Sequence, residues 1–98
     1  MKDNEVDKQF WQRADQVINL ANEQSKEVTP GEVSSSLLYA AARYNAFTAA
    51  ATAKNIDALI KNKEEAIRYF SNQYYEMFVE SIDDWIENYE KETDTNGE

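Results

Sequence analysis

The chain has 98 residues, a formal charge of −9, and neither cysteine nor histidine. That composition excludes a disulfide framework, thiolate chemistry, the usual zinc sites and the commonest general base near neutral pH. Two glycines and one proline are too few for the turns of an all-β fold, and 12% aromatic residues argue against disorder, so helices remain.

The first helix is expected over 4–26. Val6, Phe10, Ala14, Val17, Ile18 and Ala21 recur at steps of three and four, with Trp11 beside them, which is an amphipathic stripe of helical period. Asp3, Glu5 and Asp7 sit near its positive end and suit the macrodipole.

The second helix, 30–53, has the clearest start in the chain. Thr29 can cap, Pro30 fits the first helical position, and Glu32 completes a Thr-x-x-Glu box. Beyond Glu32 its one charge is Arg43, and Ser and Ala dominate it. A helix so poor in charge is expected to be buried on more than one side.

The third helix is expected over 55–90 as a continuous element, although Asn55 and Asn62 can each cap a start. Ile67, Phe70, Tyr74, Met77, Phe78, Ser81 and Trp85 form the strongest stripe in the chain. Tyr75, Val79, Ile82 and Ile86 widen it to an arc of roughly 200° at 3.6 residues per turn. Three such helices with short connections predict an all-α three-helix bundle with a long C-terminal helix. One domain would occupy 1–92, with a frayed polar tail at 93–98. The expected core is Phe10, Trp11, Ile18, Leu37, Tyr44, Phe47, Ile67, Phe70, Tyr74, Phe78 and Trp85.

Three stretches carry a resemblance: RADQVINLANEQ at 13–24, SSSLLYAAARYNAF at 34–47 and NKEEAIRYFSNQY at 62–74. Together they are similar to the family called domain of unknown function 3144, over nearly the whole chain from Phe10 to Tyr89. The resemblance implies a small bacterial protein of about this length. It brings no activity, cofactor or catalytic residue.

Charge is unevenly spread. Residues 54–98 hold twelve acidic and five basic side chains, whereas 29–53 balance Arg43 against Glu32. So acidic a body repels nucleic acid and anionic lipid, and neither is an expected partner. The N-terminus has no apolar stretch behind it, and the uncharged runs at 33–42 and 44–53 are too short and polar to span a bilayer. A cytoplasmic protein is the expectation.

Three features could carry function. Glu76, Glu80, Asp83, Glu87 and Glu90 share one face with Asp84 adjacent, either as a plain solvated surface or as a docking site for a basic partner. Arg43, with Asn45 and Tyr39, could line an interhelical pocket for an anion or small ligand. The blander reading makes Arg43 part of a structural polar network with Asp15, Asn19, Asn22 or Glu23. The wide arc with Tyr75, Val79, Ile82 and Ile86 either lies between the other two helices or forms a homodimer surface.

No phosphate loop, nucleophile elbow or metal motif is present, and no cofactor is expected. The sequence reads best as a small acidic interaction module that self-associates through its third helix. The alternatives are an anion-binding protein or weak enzyme around Arg43, and an acidic decoy for a basic or DNA-binding protein.

Overall fold

The computed structural model describes the backbone of residues 2–97 and the side chains of residues 7–89. Four helices follow in order: α1 (Lys2–Gln24), α2 (Pro30–Thr52), α3 (Ile56–Lys61) and α4 (Lys63–Gly97). The chain is all-α, with no strand among the described residues. The helices group into two units, Met1–Phe47 and Thr48–Glu98.

In the first unit α1 closes without a left-handed residue. The amides of Ser25 and Val28 donate to the carbonyls of Ala21 and Gln24 at 3.0 and 3.3 Å, so turn residues satisfy the helix end. The Ser25 hydroxyl also donates to Ala21 O at 3.0 Å. The capping box then starts α2 as expected. Glu32 N donates to Thr29 Oγ1 at 3.2 Å, and Thr29 N donates to Glu32 Oε1 at 3.0 Å. Two orphan donors are thereby satisfied reciprocally.

α1 and α2 meet near this turn, around a shallow groove lined by Val17, Leu20, Ala21, Val33, Leu37 and Ala40 among others. Val33, 5% exposed, is the buried side chain of the described residues. Away from the turn the two helices give each other little cover. Phe10 and Trp11 of α1, and Tyr44 and Phe47 of α2, remain exposed. The burial expected for α2 on more than one side is therefore not found. Within the first unit its small, uncharged surface is uncovered.

In the second unit α2 ends where Thr52 Oγ1 donates back to the carbonyls of Thr48 and Ala49. Asn55 caps α3, accepting from Ala58 N at 2.9 Å. The expected continuous third helix is divided at Asn62, so four helices stand where three were expected. Asn62 sits at φ −92°, ψ 3°, outside helical geometry. Its own N–H nevertheless bonds Ala58 O, and its carbonyl accepts from Ala66 N, each at 3.0 Å. The division is a kink that keeps the hydrogen-bond ladder. Asn suits such a point because its side chain competes with helical backbone bonding.

The kink lets Leu59, Ala66 and Phe70 gather over Thr48, Ala49 and Ala53. All six are half-buried. Neither unit by itself assembles the core expected from the sequence. Of its eleven members only Phe70 is even half-buried, and the others, from Phe10 to Trp85, are exposed. Helical period identifies which face is apolar, but it does not supply the surface that covers it.

Candidate functional site

The free length of α4 is the most unusual surface of the chain. A 35-residue helix spans about 52 Å at 1.5 Å per residue. Within its unit the other elements are the last turn of α2 and the six-residue α3. Their cover stops at Phe70, and every side chain from Ser71 to Tyr89 is exposed.

Those side chains sort into two faces. Tyr74, Tyr75, Met77, Phe78, Val79, Ile82, Trp85, Ile86 and Tyr89 all stand exposed, within an arc of about 200° at 100° per residue. The arc contains two parallel seams. Tyr75, Val79, Ile82, Ile86 and Tyr89 advance by steps of four, three, four and three, and Tyr74, Phe78, Ser81 and Trp85 by four, three and four. Such spacing is that of knobs entering a facing helix. The rings of Tyr74 and Phe78 stack at 5.8 Å between centroids and 20° between planes, so part of the surface is already ordered. Ile82, Trp85, Ile86 and Tyr89 frame a shallow depression with Glu87.

The opposite face is acidic. Glu76, Glu80, Asp83, Asp84 and Glu87 are exposed, and no cation pairs with any of them among the described residues. The side chain of Glu90 lies outside the described residues. Carboxylates three and four apart repel by about 0.2–0.5 kcal/mol per pair, a small cost that water and salt moderate. No group of three or more metal-ligating side chains converges among the described residues.

The residues singled out around Arg43 lie on α2. Tyr39 and Arg43 are exposed, and Asn45 is half-buried. None of the three lines the grooves at Val33, at Phe70 or at Trp85. The expected link from Arg43 to the carboxylates of α1 is not formed. Glu23 pairs instead with Lys26, at 3.2 Å on the exposed turn.

Sequence reasoning placed Tyr75, Val79, Ile82 and Ile86 on a candidate surface, and the structure leaves all four open. It missed the open faces of the first unit, because Phe10, Trp11, Tyr44 and Phe47 were assigned to a core. The signal was the adjacent Phe10–Trp11 pair, packed edge to face at 4.8 Å. Two neighbouring large rings cannot both point to one narrow stripe.

No helix among the described residues is long and apolar enough to cross a membrane. No curated protein matches the chain significantly. Among solved structures it is similar to an NMR structure of the protein NB7890A from Shewanella sp. That protein shares 35% identity and a TM-score of 0.75, over 88% of this chain and 92% of the other. The family described as protein of unknown function (DUF3144) matches residues 10–86. The chain belongs to this family, to which no function is assigned.

Proposed function

We propose that the chain is a small helical interaction module that self-associates through the C-terminal half of α4, with its acidic face left to a basic partner. One observation carries this: nine large apolar side chains beyond Phe70 lie on a stretch of helix that the rest of its own unit leaves uncovered. Exposed apolar area of that extent marks an interface. The exposure of Arg43, away from every groove described above, favours this reading over a ligand pocket or enzyme site centred there. The acidic decoy reading draws on the same face as the basic partner.

Light scattering on the eluting protein, at low and high salt, tests the proposal. A mass of two chains or more that persists at high salt is expected, since an apolar contact is not screened. Val79→Asp and Ile86→Asp place a charge in the seam and should shift the mass toward one chain. A wild type that elutes as a monomer at all concentrations would overturn self-association.

A further inference from the structure

We propose that, in the self-associated state, the free half of α4 from one copy lies in the groove between α1 and α2 of a second copy, which returns the same contact. The proposal rests on the self-association proposed above and names the surface that receives α4.

Area points to a second copy as the occupant. The chain exposes 9081 Å². Two separate compact bodies of half its 11.3 kDa would together expose about 6,900 Å² by the scaling of surface with mass. The excess is about 2,200 Å² per chain. Removed from two chains, it amounts to about 4,400 Å², within the range of obligate homodimers.

Shape points to α1 and α2 as the receiving surface. A helix with one neighbour needs an apolar stripe of about 100°, whereas α4 has about 200° and two seams, so it needs two neighbours. The first unit offers two helices that meet near one turn and leave Phe10, Trp11, Val17, Ile18, Tyr44 and Phe47 exposed along their lengths. The uncovered faces of one copy are thus matched in kind by those of another. A two-fold axis lets each α4 fill the other's groove, and the assembly closes.

Charge argues against the simpler pairing of α4 with α4. Residues 71–89 carry five carboxylates and no cation, so two such helices side by side would repel. The receiving helices are close to neutral there. Lys8 and Arg13 balance Asp7 and Asp15 over residues 7–20, and Arg43 is the one charge of 33–52.

The chain contains no cysteine, so engineered thiols report only on the positions chosen. Ala14→Cys lies midway along the face of α1 and Ser81→Cys midway along that of α4, which makes the pair insensitive to helix direction. The two variants, tagged to differ in size, are mixed in denaturant, refolded, checked for helicity and treated with a short bis-maleimide. The mixed product is expected to exceed the Ser81→Cys self-product severalfold. It should also exceed the product of Ser81→Cys with Gln12→Cys, on the opposite side of α1, by a similar factor. A dominant Ser81→Cys self-product would overturn the exchange in favour of α4–α4 pairing while leaving self-association intact. An intrachain link at monomer mass in the double variant would overturn it in favour of closure within one chain. No cross-link together with a monomer mass would overturn both proposals.

Discussion

Phe78→Ala separates a side chain that stays half open from one covered by a second copy. Phe78 is 53% exposed in the single chain and stacks on Tyr74. Full burial of such a side chain contributes about 1.5–3 kcal/mol, so the half supplied by its own chain is worth about 1 kcal/mol. The stacked pair adds about 0.5–1.5 kcal/mol. On its own chain the truncation should therefore cost about 2 kcal/mol. If α4 is enclosed by another copy, Phe78→Ala also opens a cavity in a packed interface, and the cost rises to about 3–5 kcal/mol per chain. Urea unfolding followed by far-UV circular dichroism, with wild type and variant at matched concentration, measures the difference. We expect the larger cost, together with a lower native mass for the variant. A loss near 2 kcal/mol that is unchanged over a hundredfold dilution, with no change in mass, would refute the reasoning.

Dilution alone should act on the wild type. Two 98-residue chains unfold with an entropy of about 0.4 kcal/mol/K, so tenfold dilution, about 1.4 kcal/mol, should lower Tm by about 3 °C. A Tm independent of concentration in scanning calorimetry would contradict a dimer. Thr29→Ala removes the acceptor for Glu32 N and should cost about 1 kcal/mol by chemical denaturation, within a range of about 0.5–2. No loss would mean that the capping box does not form in solution. Glu80→Gln relieves repulsion with Glu76, Asp83 and Asp84, all three or four residues away, and should stabilise by a few tenths of a kcal/mol per pair removed. Destabilisation at low salt would show instead that the carboxylate is engaged by a cation. Raising salt from 0.01 to 0.15 M shortens the screening length from about 30 to 8 Å. The charge of −9 is then less costly, so Tm should rise.

The parts of this protein that its sequence determines are those set within a few residues. Thr29, Pro30 and Glu32 begin α2 because the box needs only its own four positions, and Asn55 begins α3 for the same reason. The scarcity of glycine and proline and the 3.6-residue period make the chain helical, and the same period sorts α4 into an apolar arc and an acidic face. The site residues Tyr75, Val79, Ile82 and Ile86 were legible on that basis alone. The break at Asn62 was not, since an asparagine in a long helical pattern can cap, kink or continue. Packing of Leu59 and Phe70 against Thr48–Ala53 goes with the kink. Nor could the period say that Phe10, Tyr44 and Trp85 remain open. Their spacing records an apolar face, and a face is satisfied equally by a neighbour in the same chain or in another. Only the tertiary structure decided that question, because burial is a property of what lies across from a residue and not of the helix that bears it.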